Sequence, residues 1–590
     1  MAAGKDSTGV SRNTGRRRQG EDVTMDNIME RVRGSITGSM ESAIRQLVDS
    51  NKLCADVLGH LSNIPLEVPK DPRHGEFASP VALSLAAVAK KAPREIASLV
   101  VEEMAARGFG PYVDTVEVAG PGFMNFRLST KWLVDAVGLV RSMGEKYGQT
   151  EYGCGQRVLV EFVSANPVGP LNIVNARAAA VGDTLVRLLN ASGYRASSEF
   201  YVNDAGLQVS ILAESVYARY MELKGKDHPF PEDGYRGAYV RDVAQRAMEE
   251  HDHRICGMSP DEAREFLREY ALSYILDWQK RSLEAYDVHF DRWFSERKLR
   301  ETGAVESMIR EMAEAGYTYE KDGAVWFRSS DYGDDKDRVI VKSDGLYTYV
   351  APDLAYHRDK LGRGFTKLID ILGPDHHGYE GRMQAGLQAS GYPEGTLEVL
   401  ILQLVTLMRD GQPVKMSKRA GEFITMDDLL EEVPKDAARY FFIMRNTSSH
   451  LDFDLNLAVA QTTDNPVWYI QYAHARCCSI FRQAEAEGIK PETWEMADLS
   501  VLVHPSEIDL VRKMASFPDE VLAAASERAP SRIAKYALEL AGLFHSFYTE
   551  CRVISDNEAT SFARLALVDA ARNVLRNVLR IMGVSAPERM

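Results

Sequence analysis

The stretch VLVEFVSANPVGPLNIVNARAAAVGDTLVRLLNASGYRASSEFYVNDAG, residues 158–206, predicts a strand, a turn, a helix and a second strand. Its first six residues, VLVEFV, form a short apolar run rich in β-branched side chains, which is typical of a buried parallel strand. Pro167, Gly169 and Pro170 then predict a turn, and the apolar spacing over 172–191 predicts a helix. We therefore expect a βα unit whose turn faces a ligand.

A helix that begins directly after a sheet strand directs its free N–H groups, and the positive end of its dipole, at whatever lies above the strand. This arrangement favours an anion. The stretch contains neither GxGxxG nor GxxxxGK[ST], so it is neither the dinucleotide fingerprint nor a P-loop. Taken alone, the pattern is more typical of ordinary α/β architecture than of a ligand site.

Further motifs follow the βα unit in a fixed order. The sequence KMSKR lies at 415–419, far downstream of the first strand. Five longer segments carry the pattern along the chain: EFVSANPVGPL from residue 161, EFYVNDAG from 199, LGPDHHGY from 372, GQPVKMSKRAGEFITMDDLL from 411 and DNPVWYIQYAHAR from 464. Five long matches in order are far more specific than either short signature alone.

With these segments the chain resembles a class I aminoacyl-tRNA synthetase and, more narrowly, an arginyl-tRNA synthetase, over about residues 40–590. The resemblance implies an α/β Rossmann-like class I synthetase catalytic domain, an N-terminal α+β appended domain and a C-terminal all-α helical bundle. The domains we expect are a disordered tail at 1–24, the appended tRNA-contacting domain at 25–145, the catalytic nucleotide-binding domain at 146–436 with a helical insertion at about 210–320, and the anticodon-binding bundle at 437–590.

The resemblance also implies which residues act on ATP. In this chain the residues at the ATP-binding positions are Pro167, Gly169, Pro170, Leu171, Asn172, Asn175, His376, His377 and Met416, and those at the catalytic positions are Asn172, Asn175, Lys415, Ser417 and Lys418. Two lysines on a loop that closes over ATP would cancel the charge that develops on the leaving pyrophosphate. A solvated basic loop is the alternative interpretation of KMSK taken alone.

One departure from the family pattern lies at the start of the predicted helix. Where the family usually has His-x-Gly-His, this chain has Asn172-Ile173-Val174-Asn175. Asparagine keeps a donor of similar reach but never carries a positive charge. Val174 also fills space that a glycine would leave open for a close ligand. These changes put the rate of catalysis in question more than the fold.

A second set of positions is implied to bind the amino acid substrate. These are Glu161, Ser164, Asn166, Tyr349 and Asp353. Because a guanidinium keeps its charge at any usable pH and presents a planar fork of donors, its pocket requires carboxylates and flat aromatic surface. Tyr349 and Asp353 lie where a strand passes into a helix, with Pro352 suited to the first helical turn. Without the surrounding matches, a solvated face would be the interpretation of this pair.

The last predicted helix carries Arg572, Arg576 and Arg580 at intervals of four beside an apolar stripe. The corresponding bundle of the family reads the anticodon, so these arginines are candidate tRNA contacts, with a solvated face as the alternative. The net charge of −15 excludes a general polyanion binder and requires any RNA-binding surface to be patchy.

Composition agrees with a multidomain protein of the cytoplasm. A chain of 590 residues is too long for one core, and 45% hydrophobic with 26% charged residues is ordinary for a soluble protein. The sequence shows no membrane-spanning run and no signal peptide. Six scattered cysteines without a CxxC pair predict neither a disulfide framework nor a metal site, and the adjacent His376 and His377 have no third ligand in view.

Together these observations predict an arginine–tRNA ligase. It would activate L-arginine with ATP, accompanied by Mg²⁺, and transfer it to the 3′ end of tRNA(Arg). The resemblance implies that arginine activation requires bound tRNA, and we expect a cytoplasmic monomer. Two alternatives remain: a non-catalytic paralogue that binds tRNA or senses arginine, which the NIVN sequence favours, and a class I synthetase for another amino acid, which an acidic and aromatic pocket disfavours.

Overall fold

The computed structural model describes residues 27–376, 378–414 and 424–590. The chain divides into two compact units, Met1–Trp132 and Leu133–Met590. The predicted disordered tail at 1–24 lies outside the described residues, and so do His377 and the segment 415–423.

The first unit is α+β, as the sequence predicts. A three-stranded antiparallel sheet has Phe123–Leu128 at its centre, between Phe77–Ser79 and Val113–Ala119. The turn between the last two strands requires Gly122, whose φ is +135° and where a Cβ would lie 2.8 Å from the backbone of Pro93. The helices of this unit are Ile28–Asp49, Val81–Ala89 and Pro93–Arg107, with short 3₁₀ segments at Ala55–His60 and Pro72–His74.

The second unit is built on a five-stranded parallel sheet. The strands lie in the order Leu397–Ile401, Lys367–Leu372, Arg157–Glu161, Arg195–Val202 and Arg292–Ser295. In chain order the sheet grows outward on one side of Arg157–Glu161 and then on the other, which is the doubly wound arrangement. The helix Ile173–Ala191 follows the first strand, as the sequence predicts.

Helices, a small sheet and the third strand of the parallel sheet lie between the second strand and the fourth. The predicted helical insertion at about 210–320 therefore includes one strand of the parallel sheet, Arg292–Ser295, which pairs with Arg195–Val202. The helices are Leu207–Leu223, Ala238–Ile255, Pro260–Ala285, Glu296–Glu301 and Ala304–Glu314. The first three pack on one apolar core that includes Leu212, Val243 and Leu267. An antiparallel sheet of Thr318–Lys321, Ala324–Phe327 and Arg338–Val341 follows, with a 3₁₀ turn at Ser329–Tyr332, and the helix Val350–Gly362 then leads back to the parallel sheet.

A second small sheet lies beyond the parallel sheet. The strand Val405–Arg409 pairs with Gln412–Pro413 and, in parallel, with Leu451–Asp454. The helices in this part are Tyr379–Ala389, Met426–Glu432, Lys435–Ile443 and Leu455–Val459, with a 3₁₀ turn at Pro374–His376. The predicted domain boundary between 436 and 437 therefore lies within a helix, before the strand that completes this sheet.

The rest of the chain is helical, as predicted. The helices are Pro466–Ala486, Pro491–Glu495, Pro505–Ala515, Phe517–Ser526, Pro530–Glu550 and Glu558–Met582, with a 3₁₀ turn at Leu499–Val501; Lys131–Met143 and the 3₁₀ segment Gly144–Lys146 precede the parallel sheet. The last helix buries the apolar stripe predicted for it, including Val574, Leu575 and Val578, each fully buried. Among the described residues, no helix has the length and apolar character needed to cross a membrane.

Candidate active site

The candidate site lies at the carboxyl ends of two neighbouring strands, Arg157–Glu161 and Lys367–Leu372. These strands are hydrogen-bonded neighbours, and the chain extends the sheet in opposite directions from them. Ligands of doubly wound sheets bind in the crevice at such a switch point. Residues 162–172 and 373–378 are the segments that leave the two strands there.

Asn172 and Asn175 form a reciprocal cap at the start of the helix Ile173–Ala191. The Oδ1 atom of Asn172 accepts hydrogen bonds from the backbone N–H groups of Val174 and Asn175, at 2.9 and 3.0 Å. In return, the Oδ1 of Asn175 accepts the backbone N–H of Asn172 at 3.0 Å. Because both oxygens are used by the backbone, the two Nδ2 groups remain as neutral donors at the positive end of the helix.

The described residues that follow the predicted lysines in the sequence are anchored beside this cap. Asn172 forms a backbone bridge with Thr425, and the N–H of Met426 donates to the carbonyl of Leu171 at 2.7 Å. Lys415, Met416, Ser417 and Lys418 lie outside the described residues. The described residues that follow the segment therefore lie against the turn that begins the helix.

The chain leaves the first strand through a strained backbone. Val163 and Ser164 have φ values of +69° and +40°, a region that costs a β-branched residue about 1–2 kcal/mol. The conformation turns the Ser164 hydroxyl back to Glu161, whose Oε1 accepts it at 2.8 Å. Ser164 Oγ in turn accepts the backbone N–H of Tyr201 at 3.2 Å. These two hydrogen bonds hold the end of the strand in one arrangement despite the cost of its backbone conformation.

Three buried carboxylates lie side by side across the sheet. Asp370 and Glu161 are register partners on neighbouring strands, and Glu161 and Glu199 are partners on the next pair. Partners in register point to the same face of a sheet. The three side chains are at most 7% exposed, so they form a row of acids that requires counter-ions.

The helix Val350–Gly362 and the residue after it supply those counter-ions. The Lys360 ammonium is fully buried and donates to Glu161 Oε2 at 2.6 Å and to Asp370 Oδ1 at 2.9 Å. Arg363 binds Glu199 through both terminal nitrogens, at 2.7 and 2.8 Å. Burial alone would lower the pKa of Lys360, but the charges of Asp370 and Glu161 outweigh it and raise that pKa.

Asp353, on the same helix, has no such partner among the described residues. Its backbone carbonyl accepts His357 Nδ1 at 2.7 Å, but its carboxylate makes no ion pair there. Burial is the main cause that raises the pKa of Asp353 to about 7; the charges of Glu161, Glu296 and Asp370 add to this effect, and His357 opposes it. A carboxyl group in this environment is stabilised in its ionised form by an incoming cation.

Aromatic side chains lie around these acids. Burial and nearby carboxylates, including Asp353 and Glu161, raise the pKa of the Tyr201 and Tyr379 hydroxyls well above the ordinary value. The Tyr201 hydroxyl is buried and has no hydrogen-bond partner by geometry in the described structure. Acidic groups beside flat aromatic surface are the combination that a guanidinium requires.

The other predicted site residues lie in different environments, from the core to the exposed surface. Asn166 Nδ2 donates to Gln208 Oε1 at 2.6 Å, and the Leu171 side chain is 1% exposed and belongs to the core. His376 is exposed at the end of the strand Lys367–Leu372. Tyr349 is 85% exposed, so the structure does not bring its ring to Asp353.

The three C-terminal arginines do not form one free stripe. Arg580 pairs with Glu145 through its side chain, and Arg572 donates to Asp569 Oδ1 at 2.6 Å. Arg572 also lies 4.5 Å from the ring centre of Phe481, in a cavity of about 890 Å³. Arginines, a lysine, acids and aromatic rings line this cavity, including Arg141, Arg482, Lys490 and Trp494.

The sequence patterns did not indicate Lys360, Asp370, Glu199 or Tyr201. A signal was nevertheless present, because the pair Glu-Phe recurs at 161–162 and at 199–200, near the ends of two predicted strands. A matching position in neighbouring parallel strands would have placed the two glutamates in register. The spacing of 353, 357 and 360 likewise puts three charged or polar side chains on one helix face.

Three family models match the chain in succession. They are the arginyl tRNA synthetase N terminal domain at residues 35–128, the class I (R) tRNA synthetase catalytic domain at 139–463 and the DALR anticodon binding domain at 470–590.

Named relatives and solved structures give the same likeness. An arginine–tRNA ligase of Symbiobacterium thermophilum is 48% identical over 95% of this chain and all of its own length. The Bacillus subtilis arginine–tRNA ligase is 46% identical over 94% of this chain and all of its own length. A putative arginyl-tRNA synthetase structure from Campylobacter jejuni is 35% identical, with a TM-score of 0.72 over 78% of this chain and all of that one. The Thermus thermophilus arginyl-tRNA synthetase, 22% identical, shares the fold with a TM-score of 0.69 over 94% of this chain and all of that one.

Proposed function

The chain belongs to the arginyl-tRNA synthetase family, and from this premise we propose which of its residues carry out the reaction. It is an arginine–tRNA ligase, which activates L-arginine with ATP to arginyl-adenylate and transfers arginine to the 3′ end of tRNA(Arg). The similarity gives no support to a non-catalytic paralogue. The observation that carries the residue assignment is the carboxylate of Asp353, which lies among aromatic rings and acids and has no ion-pair partner within the described part of the chain.

Asp353 is the principal partner of the substrate guanidinium. Lys360 already neutralises part of the charge of Glu161, so Glu161 offers its remaining lone pairs as a second acceptor. Ser164 orients Glu161 through its hydroxyl, and Asn166 binds the amino acid's backbone end. Tyr349 would have to turn in from its exposed position to cover the guanidinium.

The start of the helix Ile173–Ala191 receives the phosphates of ATP. Support comes from the capping arrangement, which leaves the Nδ2 groups of Asn172 and Asn175 as donors where the helix dipole is positive. The turn of Pro167, Gly169, Pro170 and Leu171 lies directly before them. His376, His377 and Met416 are assigned to ATP, and Lys415, Ser417 and Lys418 to catalysis, by their positions in the family pattern.

Catalysis requires no covalent nucleophile from the protein. The arginine carboxylate attacks the α-phosphorus of ATP in line, and pyrophosphate leaves. The residues of this chain position the two substrates and stabilise the charge that develops on the leaving group. Because Asn172 and Asn175 are neutral, Lys415 and Lys418 supply the positive charge for that stabilisation.

Mg²⁺ fits this site as a companion of ATP. The described donors at the site are amides, a hydroxyl and carboxylates that are largely ion-paired, and Mg²⁺ in nucleotide sites is bound mainly by substrate phosphates and water. The ion would neutralise phosphate charge when bound. Asn172 and Asn175 would hold the phosphates that carry it.

The remaining assignments concern tRNA and the state of the protein. We assign tRNA contact to residues 25–145 and to the bundle at 437–590. The catalytic domain at 146–436 lies between these two regions in the sequence. Arg572, Arg576 and Arg580 are the proposed contacts, and Arg572 has the best support because it lines a cavity with aromatic walls. The protein would act as a monomer in the cytoplasm.

The proposal is tested by charging tRNA(Arg) with labelled arginine. Wild type should charge it with arginine and not with citrulline, which has the same length but no charge on its side chain. Asp353→Asn should raise the KM for arginine more than tenfold while changing the KM for ATP by less than twofold. An unchanged KM for arginine would remove Asp353 from the pocket.

A further inference from the structure

The turn that precedes the ATP-binding helix is held by the insertion. Gln279, on the helix Pro260–Ala285, donates from Nε2 to the carbonyl of Asn166 at 3.1 Å and to that of Gly169 at 2.9 Å. Tyr239, on the helix Ala238–Ile255, donates its hydroxyl to the carbonyl of Val168 at 2.8 Å. Three of the four backbone carbonyls of the turn 166–169 are therefore bound by insertion side chains.

The burial of the Gln279 side chain costs free energy. It is 1% exposed, and its Oε1 has no hydrogen-bond partner in the described structure. A buried acceptor without a partner costs about 1–3 kcal/mol. Both hydrogens of its amide are nevertheless used on the turn, so the buried glutamine serves the backbone carbonyls of Asn166 and Gly169.

The neighbouring residue reaches a different part of the site. Trp278 Nε1 donates to Asp427 Oδ2 at 2.6 Å, and Asp427 lies in the first turn of the helix Met426–Glu432. Consecutive residues on a helix diverge by about 100°, so adjacent side chains contact separate elements. One helix of the insertion thus holds both the turn before Asn172 and the helix that follows the segment containing Lys415 and Lys418.

The peptide between Val168 and Gly169 is trans, as are all the described peptide bonds. In a trans peptide the N–H points opposite to the carbonyl. Since Tyr239 binds the Val168 carbonyl, the Gly169 N–H points away from the insertion. Gln279 and Tyr239 together form a clamp on the turn 166–169. This clamp sets the orientation of a backbone donor in the turn assigned to ATP.

We propose that Gln279 is a positioning residue for the nucleotide. It fixes the turn 166–169 and, with Trp278, holds that turn at a fixed position relative to the helix Met426–Glu432. The inference rests on the proposed function, because it assigns the clamp to the ATP side of the same site. Gln279 touches no substrate and acts through the backbone of the turn.

The test compares Gln279→Met with wild type in arginine-dependent ATP–pyrophosphate exchange, with tRNA(Arg) present and rates expressed per titrated active site. Methionine keeps the length of the side chain and removes both donors. We expect kcat to fall about tenfold and the KM for ATP to rise at least threefold. The KM for arginine should rise less, because only Asn166 of this turn is assigned to arginine. A merely structural role would lower the number of active sites and leave the per-site constants unchanged.

Gln245→Met, on the helix Ala238–Ile255, is the matched control, since the side chain of Gln245 donates to Glu249 of its own helix, at 2.8 Å, and to no other residue that the structure describes. It should leave all constants unchanged. Unchanged per-site constants in Gln279→Met, or an equal fall in Gln245→Met, would overturn the inference. If Gln279→Met does not fold, Tyr239→Phe should show a smaller change of the same kind, and no change there would overturn it. Wild type without arginine-dependent exchange would instead contradict the proposed function.

Discussion

Glu161 and Lys360, separated by 199 positions in the chain, form a buried ion pair with Nζ 2.6 Å from Oε2. The same ammonium lies 2.9 Å from Asp370 Oδ1, so one cation serves two carboxylates that are register partners in the sheet. Breaking a buried pair by removing one partner leaves an uncompensated charge. The positions of Glu161 and Asp370 at the proposed arginine site therefore depend on Lys360.

Lys360→Met should destabilise the catalytic sheet by about 3–5 kcal/mol, because it leaves two buried carboxylates without their cation. Hydrogen exchange of the strands Arg157–Glu161 and Lys367–Leu372 measures this locally. Lys367→Met is the control: Lys367 is partly exposed and lies 3.3 Å from Glu398, a type of pair that contributes about 0–1 kcal/mol. Equal protection in the two variants would show that the buried pair does not hold the sheet.

The KM for arginine should rise as the pH falls below 7. The pKa of Asp353 is raised to about 7, so at lower pH the carboxyl is mostly protonated and must lose its proton to pair with a guanidinium. We expect about a tenfold rise between pH 8 and pH 6. Asp353→Asn should abolish this dependence, and the same slope in both proteins would assign it to another group. The charged and titratable groups that face Asp353 are Glu161, Tyr201, Glu296, His357, Asp370 and Tyr379.

Asn172→Asp should separate stability from rate. Aspartate keeps the capping oxygen and suits the positive end of the helix, so thermal stability should stay within about 1 kcal/mol of wild type. It removes the Nδ2 donor and places a negative charge where phosphates bind, so exchange should slow more than tenfold. Asn557→Asp, at the cap of the helix Glu558–Met582, should change neither. A rate equal to wild type would exclude phosphate binding at Asn172.

Lys418→Ala should slow adenylate formation by more than tenfold, about 1.4 kcal/mol or more of lost transition-state stabilisation, while arginine binding changes little. The physical reason is that asparagines in the helix cap cannot supply the charge that this lysine brings to pyrophosphate. Lys435→Ala, at the exposed start of the helix Lys435–Ile443, is the control. An unaltered single-turnover rate in Lys418→Ala would contradict the assigned role.

Arg572→Ala should weaken tRNA(Arg) binding and lower the slope of log K against log salt by about one. Kinetic constants for ATP and arginine should be unaffected when tRNA is saturating. Lys535→Ala is the comparison, since Lys535 is 78% exposed on the helix Pro530–Glu550. Equal salt slopes for wild type and Arg572→Ala would leave Arg572 as a structural partner of Asp569.

Local patterns predicted the elements of the fold and their order. The first strand, the turn with Gly169 and the helix from 173 lie where the sequence predicts them, and the last helix buries its predicted stripe. The strand ends at Glu161, however, two residues before the end of the apolar run, because the backbone at Val163 has a φ of +69°. These features depend on neighbours within a few residues. The capping roles of Asn172 and Asn175 follow from the same local chemistry, because asparagine is a favoured residue at the start of a helix.

Pairings between distant residues could not be predicted in the same way. Lys360 contacts Glu161, and Arg580 contacts Glu145 at a separation of 435 residues. Both contacts depend on the packing of the sheet and of the bundle, which no local pattern specifies. The spacing of the C-terminal arginines identified a helix face but not which of its charges were already paired. The role of Gln279 could not be predicted either, because its hydrogen-bond partners are backbone carbonyls, which every residue has.

Arginine-dependent ATP–pyrophosphate exchange by the full chain, with and without tRNA(Arg), is the decisive measurement of arginine activation at this site. We predict exchange that requires arginine and appears only when tRNA(Arg) is present, which would establish activation at a site capped by asparagines. Absence of arginine-dependent exchange in both conditions, from protein that still binds tRNA(Arg), would contradict the account.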